Sequence, residues 1–188
     1  MNNLTKNKKL ILAILLQVTI IFVMAVSKLL VLNSGNDVLL RIVPVDPRDA
    51  LRGDYVSFEY GISRIDSFYG YSQGSPIRNG ENVYVTLKRS GKYWVEEKIL
   101  KSKPANGKLF IKGRVVSGGN DEKVDFGSAY RPVNTDFHIV YGIEQYFIPE
   151  GKGSTFNFMN KEAYVRVALD KNGNAVIRQV YVNGKPWP

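Results

Sequence analysis

An N-terminal membrane helix followed by an all-β exported domain is the fold class this 188-residue chain predicts. Three observations predict it. Residues 10–32 form an almost unbroken apolar run, eight later segments are rich in β-branched and aromatic residues, and Gly- and Asn-bearing turn signals separate those segments.

The apolar run is long enough to span. A helix rises about 1.5 Å per residue, so about 20 residues cross a hydrocarbon core of about 30 Å, with every backbone polar group satisfied internally. Gln17, Thr19 and Ser27 are its main polar interruptions. Lys6, Lys8 and Lys9 precede it with no acidic residue among them, which predicts a cytoplasmic amino end. Lys28 lies near the other end, where its stem can follow the helix while its ammonium reaches the outer headgroups. The division that follows is a cytoplasmic segment 1–9, a signal anchor 10–32 and an exported domain 33–188 in the inner membrane's periplasmic or extracellular space. A cleaved signal peptide, with processing near Ala25-Val26-Ser27, is the rival. It leaves unexplained why the run resumes as Leu29-Leu30-Val31-Leu32. A core helix of a soluble protein requires one polar face, and neither face here is polar enough.

Composition narrows the partners. Of the 26 Lys and Arg, 22 lie in residues 33–188 together with all 17 Asp and Glu, so the exported part is mildly basic. Its basic residues are scattered rather than set in a stripe interleaved with aromatics, which argues against nucleic acid. The lipid bilayer is the partner that composition does imply. Without cysteine, the chain has no disulfide, thiolate nucleophile or cysteine metal site.

In chain order the predicted strands are 38–45, 55–62, 83–88, 93–100, 109–116, 137–143, 164–169 and 175–182. Turn signals at Asp46-Pro47, Ser90-Gly91, Asn106-Gly107, Ser117-Gly118-Gly119 and 171–174 punctuate them. Short helical turns are expected near 47–51 and 160–163, and long loops at 63–81 and 118–136. Tyr60-Gly61-Ile62 returns as Tyr141-Gly142-Ile143 at a separation of 81 residues. The 84–87 segment answers 164–167 at 80, and the turns at Gly91 and Gly173, like Asp54-Tyr55 and Asp136-Phe137, answer each other at 82. These echoes predict two packed four-stranded repeats, 38–100 and 109–182. Each alone would leave an apolar sheet face and open edges.

Charge concentrates just beyond the anchor, in Arg48, Asp49, Arg52, Asp54 and Glu59. Gly53, Asp54, Tyr55 and Tyr60 stand at the named positions of a motif, and Phe58 takes the place of its leucine. Here the chain resembles the bacterial membrane-anchored GDYxxLxY family. The preceding Pro44-Val45-Asp46-Pro47 and the later 141–153 segment carry the resemblance further, over the whole exported domain. It implies no established activity. Family members are often encoded near multi-pass membrane proteins, so it implies such a partner by association.

Two roles fit the motif. In one, Gly53 lets the chain turn into a strand and Asp54 accepts backbone hydrogen bonds, with Arg41, Arg48 or Arg52 as countercharge. In the other, Asp49, Asp54 and Glu144 converge with those arginines on a polar groove, where an Arg fork holds a carboxylate or phosphate. Tyr55, Glu150 and Lys152 complete the candidate binding residues. The glycines of 149–153 allow close backbone approach, but the spacing is not that of a phosphate loop.

Catalytic templates fail on the residues. His138 is the only histidine, between Phe137 and Ile139, and reads as a packed or surface side chain rather than a metal ligand. No Gly-x-Ser-x-Gly elbow occurs. The Arg52-Gly53-Asp54-Tyr55-Val56 segment superficially resembles the β region of type I signal peptidases, but no matching nucleophile segment follows the span. Glu96 and Glu97 point to opposite strand faces, and Asp121-Glu122 reads as solvated. No catalytic residue, metal site or cofactor is therefore assigned. The sequence predicts a binding or interaction module acting with a membrane-protein partner. The alternatives are a module for an anionic envelope ligand and, more remotely, a tethered hydrolase.

Overall fold

A computed structural model describes residues 2–43, 55–66, 77–105, 107–118, 136–147 and 161–187. One helix, α1 (Asn2–Leu32), precedes twelve strands: β1 (Asn36–Val43), β2 (Tyr55–Ser57), β3 (Glu59–Tyr60), β4 (Arg64–Ile65), β5 (Asn82–Ser90), β6 (Tyr93–Leu100), β7 (Phe110–Ser117), β8 (Phe137–Val140), β9 (Gln145–Phe147), β10 (Ala163–Leu169), β11 (Ala175–Val182) and β12 (Lys185–Trp187). Within α1, the Asn7–Leu32 stretch is long and apolar enough to cross a membrane. Its large apolar side chains from Leu10 to Met24 are exposed, as lipid-facing ones would be.

All strand pairings are antiparallel. One sheet has the order β12-β11-β10-β1-β3, a second β4-β8-β7-β5-β6, and β2 pairs with β9. Period-2 alternation sets the faces. Val38, Leu40 and Ile42 of β1 point into the core, as do Val165, Val167 and Leu169 of β10 and Val83, Val85 and Leu87 of β5. Burying each such side chain contributes about 1.5–3 kcal/mol, so the shared interior is the main source of stability.

Neither sheet belongs to one half of the chain. β1, with β3 on its other side, pairs with β10, which carries the β11 hairpin, while β7, with β8 on its other side, pairs with β5, which carries the β6 hairpin. The expectation of two packed units is corrected in this respect: the halves exchange strands, which covers the hairpin edges each would otherwise leave open. The pairings of one half recur in the other. Ser57 opposite Gln145 has its counterpart in His138 opposite Arg64, and Val43 opposite Glu59 in Arg114 opposite Val140. The irregularity between Thr86 and Leu87 recurs between Arg166 and Val167. This register makes the upstream separation 81 rather than 82, with Val56 answering Phe137; both are buried.

Two expected strands are interrupted. The 55–62 run divides at Phe58 and ends at Tyr60, and the 137–143 run ends at Val140. The cause is local and repeated. Tyr60 N–H donates to the Ser63 hydroxyl at 3.1 Å, and Tyr141 N–H donates to the Glu144 carboxylate, closing two equivalent turns. The 63–81 loop accordingly contains β4. Ala163 opens β10 rather than closing a helical turn; the one expected at 47–51 lies outside the described residues, as do most of the 63–81 and 118–136 loops.

Beyond these turns the halves interlock. The Tyr60 hydroxyl donates to the Ile143 carbonyl and the Tyr141 hydroxyl to the Ile62 carbonyl. Phe58 N–H donates to the Glu144 carbonyl at 2.7 Å, answered by Ile139 N–H to the Ser63 carbonyl at 2.8 Å. Burial, seconded by the Glu144 charge, pushes the Tyr60 hydroxyl well above its ordinary value of 10.0. Burial likewise raises Tyr141, seconded by Glu96 and Glu144.

Tyr60→Phe and Tyr141→Phe should each cost about 1–3 kcal/mol in chemical denaturation, because each leaves a buried carbonyl without its donor. Both tyrosines hold their protons more tightly when folded, so their contribution is complete below pH 10.0 and is lost as pH rises further. Stability above pH 10.0 should therefore fall with pH, and each substitution should flatten that decline.

Candidate functional site

The segments singled out for chemistry become neighbours in the β2–β9 ladder. Tyr55 faces Phe147, Val56 faces Tyr146 and Ser57 faces Gln145. The chain therefore returns to the described residues at Tyr55 directly opposite Phe147, where it leaves them. Arg48, Asp49, Arg52, Asp54, Glu150 and Lys152 lie outside the described residues, and Tyr55 is placed by its backbone alone.

Glu144 is described. Its carboxylate accepts the Tyr141 N–H and its carbonyl accepts the Phe58 N–H, so it fastens the turn before β9 to the strand that carries the motif. The remaining motif positions face the core. Val56, Phe58 and Tyr60 are buried, and the Phe58 ring lies 6.2 Å from that of Tyr146 and 6.4 Å from that of Tyr60. Phenylalanine in place of leucine thus keeps an apolar core side chain.

A polar cluster absent from the sequence reading lies one residue beyond Phe58. The Glu59 carboxylate, largely sheltered, receives the Arg64 Nε at 3.2 Å, and His138 Nε2 lies 3.1 Å from the same oxygen. The fold assembles it from three strands: β3 supplies Glu59, β4 supplies Arg64 and β8 supplies His138. It joins the two sheets across the exchange of strands. His138 points out of the core because Phe137 and Ile139 point in, which agrees with its reading as a surface side chain. Under the 81-residue correspondence the other half has Val140, Gln145 and Ser57 at these places, so the charged group occurs on one side only. Its sequence signal was the outward position of His138 on an alternating strand; its partners are legible only from the register.

A second cluster lies where the β5–β6 turn meets β10. Lys92 Nζ donates to Glu162 at 3.1 Å and sits 4.0 Å from the centre of the Tyr164 ring, which stacks on Tyr181 at 5.0 Å. Hydrogen bonds from Tyr93 and then Lys92 hold the Glu162 carboxyl below its ordinary range. The ring faces here are covered by the cations and by one another, which suits fastening the hairpin end. No group of three or more metal-ligating side chains occurs among the described residues.

The motif strand, its partner β9 and the second half of the apolar helix lie within one stretch, residues 17–180, that matches the GDYXXLXY protein family. The chain belongs to that family. The match takes in the second half of the apolar helix and nearly all of the β domain, so it covers parts of both. No curated protein and no solved structure matches the chain.

Glu59→Gln should weaken the link between β3 and β4. Measured by denaturation in a double-mutant cycle, its coupling to Arg64→Ala should be about 0.2–1 kcal/mol, since the guanidinium is largely exposed.

Proposed function

We propose that this chain is a membrane-anchored interaction module of the bacterial envelope, whose helix pairs in the bilayer with a transmembrane helix of a different, multi-pass protein and whose β domain stands on the exported side. The observation that carries this reading is Gln17. Before Lys28, three polar side chains interrupt the apolar run. Thr19 and Ser27 donate their hydroxyls to the Leu15 and Met24 carbonyls at 2.8 and 2.7 Å, so they need nothing from outside. Gln17 makes no hydrogen bond among the described residues and lies about 6 Å from the middle of the run. A carboxamide in hydrocarbon needs a partner, and a hydrogen bond to a neighbouring helix is worth about 0.6–2 kcal/mol.

Leu10, Ala13, Gln17, Ile20, Met24, Ser27 and Val31 follow a three-four spacing and form one seam, with Ala13 small enough for close approach. Val31, on that seam, is buried where the helix meets β10 and β11. The β domain therefore overhangs the Gln17 face. A second copy would bring two domains into the space above one seam, whereas a multi-pass protein with a low outer surface fits beneath. Lysines before the span support a cytoplasmic amino end.

The absence of native cysteine makes single cysteines unique reporters. Carrying a photoactivatable maleimide in native membranes, cysteines at Ile20 and Met24 should give adducts with a larger membrane protein, and those at Leu15 and Phe22, on the opposite face, should not. Gln17→Leu should lower the yield severalfold while Gln17→Asn retains it. Equal yields on both faces, or adducts that are dimers of the chain itself, would overturn the proposal.

A further inference from the structure

We infer that the end of the β domain built around the 170–174 turn seats on anionic lipid headgroups of the bilayer that its own helix crosses, an inference that rests on the membrane-anchored reading above. The depth of this turn follows from register. Only residues 33–35 separate α1 from β1, with Gly35 in the left-handed region at φ +79°. The junction is clamped. The Ser34 hydroxyl donates to the Leu169 carbonyl at 2.6 Å, and Arg178 donates both to the Leu32 carbonyl and, at 2.7 Å, to Asp37. Asn36, the first residue of β1, pairs with Leu169, the last of β10. Because β10 runs towards the helix, the turn that follows continues past the start of β1, down to the level of the last helical turn.

Four lysines gather at that level. Lys171 is in the turn itself, Lys103 Nζ donates to Asn172 Oδ1 at 3.0 Å, Lys112 N–H donates to the Gly173 carbonyl at 2.8 Å, and Lys28 is one turn before the helix end. Lys28 is on the face of the helix that carries Val31, the face the domain covers. None of the four has a carboxylate partner among the described residues. Asp37 is matched by Arg178, and Asp170 is engaged by the turn, accepting the Asn172 and Asn174 N–H groups at 2.8 Å each. The surplus is positive. The equivalent turn of the other half provides the contrast: Lys92 is neutralised by Glu162, and that turn packs by Tyr164, which pairs with Arg41 five residues further along β1. It therefore lies about 17 Å farther from the helix end at about 3.3 Å per residue. Of two equivalent hairpin ends, the one facing the bilayer keeps its lysines unpaired with carboxylates among the described residues and so available to phosphate.

The test uses the full chain in nanodiscs of phosphatidylcholine alone or mixed with equal phosphatidylglycerol, labelled at Ser102→Cys beside Lys103 or, as a distant control, at Ser90→Cys. Energy transfer to a headgroup acceptor should rise with phosphatidylglycerol for the first label and stay constant for the second. Lys103→Gln and Lys171→Gln should each reduce the lipid-dependent population ratio about fivefold, and high salt should abolish it. A signal at Ser102 indifferent to phosphatidylglycerol, or unaltered by the two substitutions, would overturn the inference. Resistance of the nanodisc-bound chain to alkaline carbonate tests the anchor separately: if the chain is stripped off, the membrane reading itself fails.

Discussion

Two tyrosine hydroxyls, each donated to a carbonyl in the other half of the chain, are the constraint on which the rest of this domain depends. A buried carbonyl without a donor is costly, and neither Ile62 nor Ile143 finds one in its own half. The same crossing is repeated by the backbone, through Phe58 to Glu144 and Ile139 to Ser63. Both sheets are then completed by strands from the opposite half. A half-chain has neither the edge strands nor the hydrogen-bond donors to fold alone, so the domain is one cooperative unit despite its internal correspondence.

The correspondence also makes the differences informative. Positions needed by the interlocked core have kept equivalent chemistry: Tyr60 and Tyr141, Ile62 and Ile143, Val85 and Val165. Departures fall outside the core. Glu59, Arg64 and His138 are charged or titratable where their counterparts Val140, Gln145 and Ser57 are not, and one hairpin end is closed by Glu162 while the other presents lysines. A fold made of two matched halves can specialise one side at little cost to packing, because the core residues do not take part.

Much of this was legible in the sequence, for identifiable reasons. Eight strands were visible because apolar and polar residues alternate along them, and the helix because its apolar run is almost unbroken. The pairing partners were not. Alternation looks the same whether β5 joins β1 or β7, so the exchange of strands leaves no trace in composition. The breaks at Tyr60 and Tyr141 were also hidden, since they depend on Ser63 and Glu144 accepting an N–H three residues back, while the surrounding residues are strong strand formers. Of the candidate site, the family resemblance of the motif and of the 141–153 segment was readable, but their pairing as the β2–β9 ladder was not, because register depends on the whole fold. The Glu59 cluster was not readable, because His138 and Arg64 meet through a register set by the whole fold.

The connection between helix and domain bears on how the two move together. The strand that follows the helix is not an edge. β1 lies between β10 and β3, pairs with β10 from Asn36 to Arg41, and carries Val38, Leu40 and Ile42 into the core. A pull or tilt applied to the helix is therefore resisted by a row of hydrogen bonds loaded in shear along β1, and by the Arg178 and Ser34 clamps at its base. With a junction of only residues 33–35, the domain has little freedom to swing, and its orientation follows that of the helix. Anything that turns the helix would turn the β2–β9 ladder and the Glu59 cluster with it, so that the orientation of the helix sets what the domain presents.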